Sequence, residues 1–189
     1  MPEAKKIIAL TAPSGSGKTT IARRVLAAFP AMTFSVSATT RPCRPHEKDG
    51  VHYHFVSGET FRDLIAAGAF IEYEEVYPGR LYGTLRSEVD EKAATSAVLL
   101  DIDVEGTLNV KQLYGDDALA IFIEPPSLEV LAERLRRRNT ETEATLRDRL
   151  NRARHELTYA DRFDAVVVND DLEQAVDETI HLIRQFLQG

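Results

Sequence analysis

The amino-acid sequence predicts an α/β fold: a parallel sheet with flanking helices, an inserted antiparallel lobe and a helical lid. Three observations carry the prediction. Short runs of Ile, Val and Leu alternate with longer stretches of helical periodicity, the alternation of a parallel sheet covered by helices. The first run leads straight into a glycine-rich loop and then a helical stripe. A polar and aromatic stretch over about residues 34–94 breaks the rhythm, which then resumes.

The runs at 7–10, 97–100, 118–123 and 165–168 lack polar alternation, so they read as strands buried on both faces. Helical stripes lie between them. Ile21, Val25 and Phe29 recur every four residues, and Leu128, Leu131 and Leu135 follow i, i+3, i+7. Leu146, Leu150, Ala153 and Leu157 form another stripe, and Leu172, Val176, Ile180, Ile183 and Leu187 the last; each would lay one apolar face on a neighbour. Thr140 with Glu143 has the spacing of a capping box, and Asp171 with Gln174 a looser form of it. Ser127, behind Pro125-Pro126, stands where an N-cap is needed. In the interrupting stretch Val51, Tyr53 and Phe55 alternate as in a strand, and 70–76 reads as another. A single domain over 1–189 is expected, with its core at 1–33, 97–125 and 159–189, the lobe at 34–96 and the lid at 126–158.

The 189 residues suit one domain, one that buries about 70 % of its unfolded surface without help from metals or disulfides. Apolar residues make up 43 % and charged residues 28 %, ordinary globular usage that excludes intrinsic disorder as the main state. The net charge of −7 argues against a general binder of nucleic acid or membrane surfaces, while leaving room for a local cationic pocket. Cys43 is the one cysteine, which excludes an internal disulfide and a cysteine-based zinc site. No apolar run approaches the ~18 residues of a membrane span. Residues 1–6 lead into a stretch too short for a signal peptide. A soluble, cytoplasmic protein is expected, and its assembly as monomer or homo-oligomer is left open.

The strongest chemical signal is Ala12-Pro13-Ser14-Gly15-Ser16-Gly17-Lys18-Thr19, followed by Thr20, between the first strand and the first helix. A phosphate-binding loop needs that placement. Glycines let several backbone N–H groups converge on phosphate oxygens, and the helix N-terminus adds positive partial charge. Lys18 supplies a point charge between adjacent phosphates, and Thr19 offers a hydroxyl to Mg²⁺. Ala12 stands where the pattern G-x-x-x-x-G-K-[ST] has its first glycine; a methyl there suits a negative φ and strains the loop otherwise. The fold is therefore expected to be a P-loop parallel sheet that binds a nucleoside triphosphate, with the reaction undetermined by this motif.

Further residues narrow the chemistry. Asp101 and Asp103 close the strand at 97–100, two apart and so on one face. At the carboxyl edge of a parallel strand, where open α/β sheets bind ligands, one of them can hold a Mg²⁺-bound water; helix capping or a loop position is the other reading of each. The lobe carries Ser37, Thr39, Thr40, Arg41 and Arg44, then Tyr53, Glu72 and Tyr82-Gly83-Thr84. Arginines and hydroxyls together suit a phosphate monoester, where a lone arginine would read as surface. Arg134, Arg136, Arg137 and Arg138 end one helix, and Arg147, Arg149, Arg152 and Arg154 lie on the next. Arg134 and Arg138 share a helix face. They can reach over phosphates as arginine fingers, or form a solvated face paired with Glu141, Glu143 and Asp148. His52 and His54 have no third ligand near them in sequence and read as a partly exposed lobe face.

With these residues in view the sequence resembles the guanylate kinase family of nucleoside monophosphate kinases, over nearly the whole chain. The resemblance rests on Ala-Pro-Ser-Gly-Ser-Gly-Lys-Thr at 12–19, Ser-Val-Ser-Ala-Thr-Thr-Arg-Pro at 35–42 and Asp-Gly-Val-His-Tyr-His-Phe at 49–55. It continues through Phe-Ile-Glu-Tyr at 70–73, Tyr-Gly-Thr at 82–84, Leu-Asp-Ile-Asp-Val-Glu-Gly at 100–106, Arg-Asn-Thr-Glu-Thr-Glu at 138–143 and Val-Asn-Asp-Asp at 168–171. It implies transfer of the γ-phosphoryl of ATP to GMP, and to dGMP, with Mg²⁺, in purine nucleotide metabolism. It places the GMP phosphate at Ser37, Arg41, Arg44, Tyr53 and Tyr82, and guanine reading at Glu72, Thr84 and Asp103. It makes Arg134, Arg138 and Arg149 the lid arginines that act with Lys18 and Arg41, and puts Asn169 near the adenine of ATP.

The acceptor implied is a phosphate monoester with a second pKa of about 6, already largely dianionic at neutral pH, so no general base is required. Lobe and lid are expected to close over the core when both nucleotides are bound, excluding water. Three rival readings fit parts of the sequence. A guanylate-kinase-like interaction module, binding phosphorylated peptides without catalysis, is expected to lose the ATP loop, whereas Gly15, Gly17, Lys18 and Thr19 are all present. A GTPase would use Asp103-Val104-Glu105-Gly106 as a D-x-x-G switch, but the sequence has no N-K-x-D guanine motif. A kinase for another monophosphate is disfavoured by Glu72 and the 37–44 loop, through the resemblance.

Overall fold

A computed structural model describes residues 6–137 and 143–189. Arg138, and Thr140 of the expected cap, lie outside them. In chain order the elements are β1 (Ile7–Thr11), α1 (Lys18–Ala28), β2 (Thr33–Phe34), β3 (Ala38–Thr39), β4 (His54–Phe55), α2 (Gly58–Ala66), β5 (Phe70–Tyr77) and β6 (Arg80–Leu85). They continue with α3 (Arg86–Ala93), β7 (Val98–Asp101), α4 (Val104–Tyr114), β8 (Ala118–Glu124), α5 (Leu128–Arg137), α6 (Glu143–Leu157), β9 (Ala165–Val168) and α7 (Leu172–Gln188).

Five strands form a parallel sheet in the order β2-β7-β1-β8-β9. Because side chains alternate across a strand, β1 serves two cores. Ile8 and Leu10 pack with Ile21 and Val25 of α1 and Val176 and Ile183 of α7. Ile7 and Ala9 pack on the other face with Val89 of α3 and Val110 of α4. Every residue of β1 is fully buried, which is why this strand carries an unbroken apolar run. The chain leaves β1 toward β2 and β7 on one side and returns to β8 on the other, so a crevice opens at the carboxyl ends of the central strands. Asp171 caps α7 by accepting from Gln174 N at 2.9 Å, and Ser127 caps α5 by accepting from Val130 N at 3.2 Å, as their spacing predicts.

The interrupting stretch forms a second sheet in the order β4-β3-β6-β5. β5–β6 and β3–β6 are antiparallel as expected, but β3 and β4 run parallel. The 40–53 connection is long enough for the crossover that a parallel pair needs. The strand expected through Val51, Tyr53 and Phe55 shrinks to two residues. Backbone turns spend its hydrogen bonds: Val51 N and His52 N both donate to the Lys48 carbonyl, and Val51 is left 63 % exposed. Glu88 of α3 fastens this region to the main sheet. It accepts from Val36 N at 3.0 Å and meets His54 Nε2 at 3.1 Å. It also pairs with Lys92, whose ammonium reaches the Phe34 carbonyl at 2.7 Å. Leu131 and Leu135 of α5 and Leu146 and Ala153 of α6 form an apolar cluster of their own. Among the described residues no helix is long and apolar enough to cross a membrane.

Candidate active site

The loop after β1 is shaped by two left-handed glycines, Gly15 at φ 100° and Gly17 at φ 95°. Gly17 has a second reason to lack a side chain. A Cβ there would stand 2.3 Å from Asn169 Nδ2, which donates to the Ser16 carbonyl at 2.6 Å. Asn169 is 4 % exposed and lies against the underside of the loop, where the resemblance would have put it near adenine. Ala12 turns its methyl onto the apolar core. Lys18 opens α1, and its ammonium meets Asp101 Oδ1 at 2.5 Å and the Ile102 carbonyl at 2.9 Å. The β1–β7 register sets Leu10 beside Asp101, which brings this carboxylate to the mouth of the loop.

A cleft of about 1010 Å³ opens here. Ala12, Pro13, Ser14, Gly15, Gly17, Lys18, Thr19 and Thr20 line one side, with Asp101 and Asp103 beside them and Arg149, Arg152 and Glu156 of α6 across. Ser16 is fully buried beneath the loop. Arg149 Nη1 lies 3.3 Å from Ser14 Oγ. Arg134 reaches the carbonyl of Asn169 at 2.9 Å, so α5 touches the same strand end that braces the loop.

A second cleft of about 350 Å³ is lined by β5, including Glu72 and Glu74, the start of α4 and the end of α6. Asp103, Arg152 and Glu156 line both clefts. Thr84, itself buried, donates to Glu72 Oε1 at 2.6 Å. Burial pushes the Glu72 carboxyl up to about 7; the Thr84 hydroxyl opposes the rise and the nearby Asp103 charge adds to it. Asp103 is placed differently from the expectation that it shares a strand face with Asp101. The strand ends at Asp101, and Asp103 caps α4, its Oδ1 accepting from Gly106 N at 2.6 Å.

The hydroxyl and arginine cluster lies apart from both linings. The Arg41 guanidinium holds Glu47 through two contacts of 2.7 and 2.8 Å, with both side chains 7 % exposed. Arg41 Nε donates to Tyr82 Oη at 3.3 Å, and its guanidinium carbon lies 5.1 Å from the Tyr53 ring centre. Hydrogen bonds from Arg41 hold Glu47 down at about 2, and the same contact raises Arg41 above its already high value. Arg44 is exposed, with its backbone N–H on Glu47 at 2.8 Å. Ser37 is half-buried and accepts from His54 N through its carbonyl.

A phosphate loop, a neighbouring carboxylate pocket and a caged arginine form the frame against which known proteins can be compared. The guanylate kinase family model matches residues 4–186. The chain belongs to the guanylate kinase family. It is 62 % identical over 189 residues to a curated guanylate kinase from Salinibacter ruber, covering 100 % of both chains. To one from Chlorobium luteolum it is 52 % identical over 183 residues, 96 % of this chain and 92 % of the relative. The crystal structure of guanylate kinase from Anaplasma phagocytophilum aligns with a TM-score of 0.72 at 33 % identity, covering 96 % of this chain and 86 % of that one. The chain is therefore an enzyme of the guanylate kinase family, a kinase and nucleotide-binding transferase.

In this guanylate kinase frame the structure gathers the loop, Asp101, Asp103 and Arg149 at one cleft and Glu72 with Asp103 at the other, and it brings Arg41 together with Tyr53 and Tyr82 outside both linings. Sequence reasoning missed Glu47, Glu74 and Glu156 as parts of the site and left Arg152 among surface arginines. Acids among arginines read as solvation until their partners are seen.

Proposed function

We propose that this member of the guanylate kinase family moves the γ-phosphoryl of ATP to GMP, giving ADP and GDP, in the cytoplasm. The division of labour proposed follows the expected core, lobe and lid. The observation that carries the reading is the half-buried Glu72 carboxyl, oriented by Thr84 in a cleft that shares a wall with the phosphate loop. Guanine presents N1–H and the N2 amine side by side, two donors for two carboxylate oxygens. Adenine turns an N1 acceptor there and is repelled, and a polar site left unpaired discriminates by about 10⁴–10⁵.

The acceptor phosphate needs no proton removed, so the barrier is electrostatic: two polyanions must meet in line. Lys18, exchanging Asp101 for phosphate oxygens, and the loop at 12–20, through backbone N–H groups such as those of Gly15, Gly17 and Lys18, hold the donor. Arg134 and Arg149, with Arg138 in the same role, neutralise charge from the side of α5 and α6. Glu47 fixes Arg41 against Tyr53 and Tyr82, so with Arg44 and Ser37 the acceptor phosphate meets pre-positioned groups. Asn169 holds the loop from beneath, and the place near the adenine of ATP is assigned to it through the family resemblance.

Magnesium fits this donor set. The groups at hand are the exposed Thr19 hydroxyl and the Asp101 carboxylate, and among the described residues no group of three His, Cys, Asp or Glu could hold a metal. A few hard oxygens with the rest left to water and phosphate is the coordination Mg²⁺ prefers. Held by Thr19 and Asp101, it would supply positive charge against the phosphate oxygens. ADP release measured with ATP and Mg²⁺ against GMP, AMP, CMP and UMP tests the whole reading. Turnover with GMP alone is expected; equal turnover with AMP would overturn the role of Glu72.

A further inference from the structure

We infer that Arg152 is a positioning residue, whose ion pair with Glu74 ties the base-reading strand to the helix that carries Arg149. The inference rests on the GMP kinase reading above and deepens it. Arg152 presents a planar fork to Glu74, Nη1 to Oε1 at 3.2 Å and Nη2 to Oε2 at 3.4 Å. Its Nε meets Glu156 Oε1, one helical turn on, at 2.9 Å. Glu156 steadies the guanidinium from its own helix, and Glu74 is the partner across the clefts.

Placement gives the pair its meaning. Glu74 lies two residues beyond Glu72 on β5 and so on the same strand face. Arg149 lies three residues before Arg152, hence on a shared helix face, and meets Ser14 of the phosphate loop. The middle of α6 thus touches the donor loop while the next turn holds the acceptor strand. The apolar side chains of α6 pack on α5, so an ionic contact, not an apolar one, sets the distance between α6 and β5 at this point. The guanidinium is 54 % exposed and the carboxylate 38 %; such pairs shift an equilibrium by roughly two- to fivefold. That is enough to bias closure and too little to trap product.

Steady-state kinetics of Arg152→Ala, Glu74→Ala and the double variant, with ATP and GMP varied in turn, tests the tie. Each single variant should lower kcat about three- to fivefold with the KM for ATP held, and the double variant should be no slower than either single. The charge exchange Arg152→Glu with Glu74→Arg should recover most of the loss. Parental kcat should fall with added salt, as screening weakens the pair, and Arg152→Ala should lose that sensitivity. A fold-stabilising role alone would lower the melting point without the kcat split. Multiplicative losses in the double variant, or an unchanged kcat in Arg152→Ala, would overturn the inference while leaving the GMP reading intact. If the parent fails to turn over GMP, it is the underlying reading that falls.

Discussion

At the scale of single residues, Glu72 and Lys18 show how environment sets what a side chain can do. Glu72 has been raised by burial to about 7, so its charge grows in around neutral pH. Only the charged form offers two acceptors to guanine; the acid sets an O–H against the base's own donors. The KM for GMP should therefore fall as pH rises through about 7, by up to about tenfold per unit on the acid side. The stability contribution has its own window: it is full below the unfolded value of roughly 4.3 and is lost as pH rises through the folded value, since the native state holds the proton more tightly. Glu72→Gln should raise the KM for GMP about 10- to 100-fold, leave that for ATP unchanged and flatten the profile; a parallel loss of ATP affinity would contradict the assignment. Lys18→Ala should lower kcat by about 10²–10³ without changing GMP binding by titration, because Lys18 lines the other cleft. Both residues were legible in the sequence, one through a loop whose chemistry demands fixed spacing and one through the family resemblance. Glu47 was not, because an ion pair inside a loop follows no period.

At the scale of elements, the start of α4 is where backbone and site meet. Asp103 caps the helix, and Gly106 leaves room for Glu72: a Cβ there would stand 2.5 Å from Glu72 Cγ and 3.0 Å from Asp103 Oδ1. Alanine gains up to about 1 kcal/mol over glycine in a helix, whereas overpacking costs about 1–3 kcal/mol, so the clash outweighs the propensity. Gly106→Ala should lower the melting midpoint by about 2–8 °C and raise the KM for GMP while sparing ATP, checked by calorimetry and kinetics on one preparation. Element legibility followed burial. The strands at 7–10, 97–100 and 118–123 were readable because both faces are covered, whereas the run at 165–168 is a strand but not one buried on both faces: β9 stands at the sheet edge with Val167 buried and Val166 and Val168 exposed. β6 was not readable, since Arg80, Tyr82, Gly83 and Thr84 show no alternation and its extended state is imposed by pairing with β5. α2 escaped as well: it buries Phe61 alone, and its one clear signal is Ser57, which accepts from Thr60 N at 3.0 Å.

At the scale of the whole molecule, the site is distributed over the main sheet, the smaller sheet and the α5–α6 pair. The phosphate loop belongs to the main sheet, Glu72 to the smaller sheet and Arg149 to the α5–α6 pair with its own apolar cluster. Movement of the α5–α6 pair breaks few apolar contacts, whereas Ile71 of β5 packs into the core of the main sheet. What joins the two sheets at 34–36 is polar, centred on Glu88. Burial works against its charge, but hydrogen bonds from Lys92, Val36 N and His54 outweigh that and hold the carboxyl below its usual range. Two polyanionic nucleotides repel each other until Lys18 and the arginines of α6 stand between them, so the compact arrangement is favoured most when both are present. Small-angle scattering should show a smaller radius of gyration with GMP, Mg²⁺ and a non-hydrolysable ATP analogue together than with either nucleotide alone. The same radius in all four states, free protein included, would mean that the clefts are permanently apposed and that water is kept out by the static fold.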